Sequence, residues 1–214
     1  MVCSTMTESK QNDAEPAASA AETDGAAADA AARALAGARP PHDPSRMPTA
    51  ADEAYDIRIA RDGTWYYHGS PIGRPAMVKL FATVLRRDAA GDFWLITPAE
   101  RGRIIVEDAP FTAVAVEMEG EGPDQTLTFR TNLDEMVTAG ADHPIRVRTD
   151  PETGEPNPYI LVRGGADAPL EARINRAVFY ELVDRAEPKA TERGTEIGLW
   201  SKGIYFPLGL LPPA

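Results

Sequence analysis

Only two stretches of this chain carry large apolar residues at helical spacing, and that scarcity constrains the fold more than any other feature. In the first, Pro75 opens a helix at the position proline prefers. Met77, Leu80, Phe81, Val84 and Leu85 follow at i, i+3, i+4, i+7 and i+8, predicting a helix to near Asp88. The second is predicted over 169–185, opening at Pro169, with the stripe Leu170, Ile174, Ala177, Val178 and Leu182. Around them lie short alternating segments. Residues 56–60 and 64–68 read as a hairpin about Asp62-Gly63, 112–118 and 125–131 as a second, and 196–200 and 204–206 as a third. Residues 92–97, 103–107, 145–148 and 159–163 read as further strands. Thr97-Pro98-Ala99-Glu100 has the spacing of a capping box and predicts a short helical turn. Each parallel strand pair needs a long crossover, and two helices do not supply enough of them. The fold class is therefore α+β, built of antiparallel strands with two main helices.

The order of strand, Gly-rich loop, Pro-started helix and hairpin occurs twice, over 64–97 and over 159–206. YYHGSPIGRPAM and LVRGGADAPLEA share the glycines and the proline, which favours a duplicated core. The first 50 residues differ in kind: they hold 15 alanines, no aromatic residue, seven acids and four bases. Such a segment has little large apolar surface to offset its chain entropy, so 1–50 is expected to be a disordered acidic tail. Residues 25–38 have high helix propensity but no stripe of large residues with which to dock. The folded part then divides into sub-domains at 51–111 and 112–214.

A net charge of −11 argues against duplex nucleic acid and anionic lipid as partners. The single cysteine, Cys3, excludes an internal disulfide framework. No run of 18 apolar residues occurs, and the first residues lack the pattern of a secretory signal, so a cytoplasmic protein is expected. His-Glu-x-x-His, Walker and dinucleotide-binding glycine motifs are missing, and no metal or cofactor is expected.

Three constellations remain. His68 and Ser70, with Asp108, have the residue types of a small hydrolase, although Ser70 before Pro71 is ordinary turn chemistry. Glu107 and Asp108 are adjacent acids that a strand would point to opposite faces. Arg173, Arg176 and Tyr180 share a face of the predicted second helix, with Arg163 ending the strand before it and Arg74 preceding the first helix. Arginines beside an aromatic suit planar anions, and ion pairing with the abundant acids competes with that role. Glu171 would need a partner if buried. The favoured reading is a binding or signalling protein, not an enzyme, that holds an anionic small molecule or a peptide between the halves. A protein-interaction scaffold using Trp65 and Tyr67 is the other alternative.

The blocks GTWYYHGSPIGRPAMVKLF, FWLITPAE and IIVEDAPF, with PYILVR, LEARINRAVFYELV and WSKGIYFPLG further on, resemble the proteobacterial family called domain of unknown function 1285. The resemblance covers about residues 55–211 and leaves the alanine-rich tail outside. It implies a duplicated α+β core, a C-terminal half loosely similar to pleckstrin-homology folds, and signalling through a cleft; it implies no established activity. It places Gly69, Ser70, Pro71, Ile72 and Arg74 in one motif, Glu107, Asp108, Pro110 and Phe111 in another, and Glu171, Arg173 and Arg176 in a third.

Overall fold

The computed structural model describes residues 33–34, 54–98, 100–192 and 194–211. The first sheet holds β1 (Ala54–Ile59), β2 (Trp65–Tyr67), β3 (Ser70–Pro71), β4 (Leu85–Arg87), β5 (Phe93–Ile96) and β6 (Arg101–Val106), in the order β3-β2-β1-β6-β5-β4. Helix α1 (Pro75–Thr83) joins β3 to β4. The second sheet holds β7 (Phe111–Glu119), β8 (Thr126–Thr131), β9 (Met136–Thr138), β10 (Ile145–Thr149), β11 (Pro156–Arg163) and β12 (Leu170–Ile174), in the order β10-β11-β12-β7-β8-β9. Helix α2 (Arg176–Asp184) follows, and then a three-stranded sheet of β13 (Glu187–Thr191), β14 (Gly194–Ser201) and β15 (Ile204–Leu210).

The two large sheets have one topology. In each, the first three strands form a meander, the last three form another, and the sixth strand returns beside the first in parallel, as β1 with β6 and β7 with β12. The duplicated α+β core is therefore present, with a parallel pair at the centre of each sheet. Four intervening strands make the return that a crossover helix makes elsewhere. The repeating unit is 54–106 and 111–174, not 64–97 and 159–206, and the helices sit at non-equivalent points of it.

Period-two burial builds the strands: Ile57 and Ile59 on β1, Phe93 and Leu95 on β5, Leu127 and Phe129 on β8 all face inward. Buried residues of both halves and of the third sheet form one connected cluster. Ser201, fully buried, sews the third sheet to the second: its hydroxyl accepts from the Leu127 amide at 3.0 Å and donates to the Ala139 carbonyl at 2.8 Å.

Four expectations are corrected. The first helix stops at Thr83, and Leu85 pairs with Leu95 as a strand. The second helix starts after Asn175, whose side chain accepts from the Val178 amide at 2.8 Å, so Pro169 precedes a strand instead. At 97–100 the Thr97 amide donates to the Glu100 carbonyl at 2.9 Å, which makes a hairpin turn between β5 and β6 and not a helical one. Of the expected tail, Arg33 and Ala34 are helical, and Ala34 packs against the core. The rest of that tail lies outside the described residues.

Candidate functional site

The turn after β2 needs left-handed backbone, with φ of 46° at His68 and 72° at Gly69. It returns the chain as β3, the edge strand of the first sheet. The Ile72 amide donates to the Trp65 carbonyl at 2.8 Å, which carries the pairing one residue past β3, and Arg74 is extended where it leads into α1. Between hairpin and helix lies a cavity of about 280 Å³. Ile72, Met77 and Phe81 give it apolar walls, Tyr67 flanks them, and Ser70 and Arg74 contribute its polar side chains. Arg74 is exposed and has no ion pair or hydrogen-bond partner for its side chain among the described residues. Pro71 and Gly73 also line this cavity, whereas Gly69 stays in the turn outside it.

A second pocket, of about 230 Å³, lies on the other half, between the start of β11 and α2, and Asn157, Arg173, Arg176, Phe179 and Tyr180 line it. The helical face expected for Arg173, Arg176 and Tyr180 thus becomes a strand residue beside two helix residues. The Arg173 guanidinium is held at both terminal nitrogens: Nη1 donates to Asp108 Oδ2 and Nη2 to Asn157 Oδ1, each at 2.7 Å. Asp108 also accepts from the Tyr159 hydroxyl at 2.7 Å. Burial first, and then this bond to a carboxylate, push the Tyr159 phenol up to about 12. Glu171, expected on a helix, is a buried strand residue held by Arg148. Arg163 donates to the Ala82 carbonyl at the end of α1, stacks over the Phe111 ring at 5.1 Å and lies 3.6 Å from Glu135. Arg176, well exposed, reaches Glu155 at 3.2 Å.

The sequence candidates therefore part company. Ser70, Pro71 and Arg74 meet at one pocket; Arg173 and Arg176 meet at another; Arg163, Glu171 and Asp108 fasten the fold. Each pocket is built within one half, so the arginines do not face a shared cleft. The hydrolase constellation does not assemble. His68 Nδ1 bonds Asp56, not Asp108, at 2.7 Å. The His68 amide bonds the Asp56 carbonyl across β1, while Asp108 lies beyond Val106, which pairs with Ile59 from the other side of β1. Three residues along a strand and two strand spacings across are about 10 Å each way. Glu107 and Asp108 diverge, for Glu107 accepts from the Arg61 amide and then from the Arg58 guanidinium, and these bonds in that order hold its carboxyl below the usual range. Trp65 is buried in the core, which removes the centre of the expected aromatic patch. No three metal-ligating side chains are grouped among the described residues, and no helix there is long and apolar enough to cross a membrane.

In the sequence the apolar walls Met77 and Phe81 read only as part of the helical stripe. Their i+3 and i+7 spacing from Arg74 was the available signal that the arginine and the stripe border one space.

Two sheets of one topology fused in sequence, each followed or interrupted by a single helix, define a duplicated α+β protein. The chain belongs to the family of unknown function DUF1285: its N-terminal domain model matches residues 45–109 and its C-terminal domain model residues 110–208. Among solved structures the chain is similar to a DUF1285 family protein from Silicibacter pomeroyi DSS-3, with 47% identity, a TM-score of 0.68 and coverage of 83% of this chain and 94% of that one. It is also similar to a DUF1285 family protein from Shewanella baltica OS155, with 25% identity, a TM-score of 0.45 and coverage of 62% and 94%. No curated protein matches it.

Proposed function

We propose that this protein binds a small carboxylate with an apolar body in the pocket between the β2–β3 hairpin and α1. Arg74 carries the reading: an exposed guanidinium, without a partner among the described residues, beside an otherwise largely apolar cavity. Guanidinium geometry suits a carboxylate through two parallel hydrogen bonds. Met77, Phe81 and Ile72 favour a hydrocarbon body by removing it from water. The cavity lies just below the ~300–1,000 Å³ common for ligand sites, so the body is compact, the size of a branched five-carbon chain or one aromatic ring. The anchor belongs to the first half, and the cleft between halves is not needed. Holding such a ligand without chemistry is the work of a sensor or carrier in signalling, and we place it in the cytoplasm.

Calorimetric titration of the full chain with 4-methylpentanoate and with phenylacetate tests this. Arg74→Ala is expected to weaken binding by about tenfold or more, the worth of a charge-assisted hydrogen bond. Arg176→Ala is expected to leave it within about twofold, since exposed paired arginines away from a site contribute little. Binding that ignores Arg74→Ala, or that falls equally with Arg176→Ala, overturns the proposal.

A further inference from the structure

The pocket opens beside the free edge of the first sheet, and that edge has a defined pattern of hydrogen-bonding groups. The Ile72 amide is used inside the sheet on the Trp65 carbonyl, and Tyr67 pairs with Ser70. Along an extended chain successive backbone groups point to opposite sides. The groups pointing away from β2 are therefore the Pro71 carbonyl and the Gly73 amide, and neither has a partner among the described residues. Pro71 has no N–H to offer outward, so the edge cannot carry a full ladder; proline on an edge suits this blunting role. What remains is one acceptor and one donor, flanking Ile72, with Arg74 next along the chain.

A parallel incoming residue fits that pattern. In parallel pairing a residue donates its N–H to the carbonyl before its neighbour and accepts, at its own carbonyl, from the N–H after it. A residue set beside Ile72 would donate to Pro71 and accept from Gly73. Its side chain would share the face of Ile72, which lines the cavity. Its carboxyl end would point toward Arg74. The chain could not continue in register, because the edge turns into α1 at Pro75. Resting on the carboxylate reading above, we infer that the ligand is the C terminus of an extended peptide whose last residue is apolar. The carboxylate is held by the Gly73 amide and Arg74, and the last peptide N–H by the Pro71 carbonyl. Recognition of this type combines main-chain bonds at a sheet edge with one side-chain pocket.

Four probes separate this inference from the reading it rests on: acetyl-Ala-Ala-Leu as the free acid, the same peptide as its C-terminal amide, its analogue with an ester oxygen in place of the last N–H, and 4-methylpentanoate. The free acid is expected to bind tightest. The amide should lose about tenfold and the ester about fivefold, each having lost one hydrogen bond or a charge-assisted one. Arg74→Ala should erase the preference for acid over amide. On binding the free acid, the Gly73 amide resonance should move downfield. An ester that binds as well as the peptide, or a Gly73 resonance that stays in place, overturns the peptide inference. If 4-methylpentanoate then still binds in an Arg74-dependent way, the carboxylate reading stands without it. If neither peptide nor 4-methylpentanoate binds, both fall.

Discussion

Asn132, in the turn after β8, reaches two ways. Its Oδ1 accepts from the Thr112 amide at 3.0 Å, and its Nδ2 donates to the Gly63 carbonyl at 3.3 Å. One side-chain amide thus ties the first hairpin of the first sheet to the first strand of the second. Gly63 permits this in two respects: its φ is +85°, and a Cβ there would lie 2.7 Å from Asn132 Nδ2 and 2.9 Å from Thr112 Oγ1. Gly63→Ala is therefore expected to cost about 1–3 kcal/mol, from left-handed strain and a displaced contact. Urea unfolding measures it, and a cost under about 0.5 kcal/mol would mean the halves do not depend on this tie. Tyr159→Phe should cost about 1.5–3 kcal/mol through the lost bond to Asp108. Because the folded phenol is raised to about 12 from the ordinary 10.0, its contribution is present below pH 10 and fades as pH rises toward 12. Alkaline absorbance titration should lose its latest transition in that variant; a transition that persists belongs to another tyrosine. The Asp62-Gly63 turn was legible in the sequence because its chemistry is local. Asn132 was not, because its partner lies 69 residues away.

Elements were misread where one set of residues satisfies two periods. Leu170, Ala172 and Ile174 alternate as a strand requires, and Leu170 and Ile174 also stand four apart as a helix requires. The neighbours β11 and β7 decide for the strand by pairing with β12 on both sides, which no local pattern contains. Val84 and Leu85 likewise suit a helix stripe, yet their burial is met in the connection to β4 and in its pairing with β5. The helix that remains, α1, is fixed at its exposed side by Lys79, which lies 2.6 Å from Asp134 in the turn after β8. The Lys79 hydrogen bond and charge hold the Asp134 carboxyl below its ordinary 3.8. A depressed carboxylate stabilises above its unfolded value and loses that contribution as pH falls through the folded one. Lys79→Met is therefore expected to melt earlier than the parent at pH 7, and the gap should narrow as pH falls below 3.8 and on through the lowered value of the folded carboxyl. Thermal melts across that range test it. A gap that persists in acid would assign the lysine's effect to packing of its stem instead.

At the scale of the molecule, the doubling of topology is not a doubling of charge. Residues 54–106 carry eight arginines and lysines against five acids, while 111–211 carry ten against seventeen. The repeat was only faintly legible because strand order is duplicated, not residues, and the two helices fall at different points of it. The charge contrast was legible but hidden by the total of −11, which alone suggests a surface that repels anions. The pocket proposed to take a carboxylate belongs wholly to the basic half, and Arg74 is among its lining residues. Local potential, not net charge, governs how an anion approaches a site within a Debye length, which is about 10 Å at 0.1 M salt. Association of acetyl-Ala-Ala-Leu is therefore expected to slow severalfold as ionic strength rises from about 0.02 to 0.3 M, with dissociation nearly unchanged, as steering predicts. Stopped-flow kinetics would read both rates. Association that instead quickens with salt would mean that the acidic half and the whole-chain charge dominate the field at the pocket, and Arg74 would then have to hold its ligand against that field.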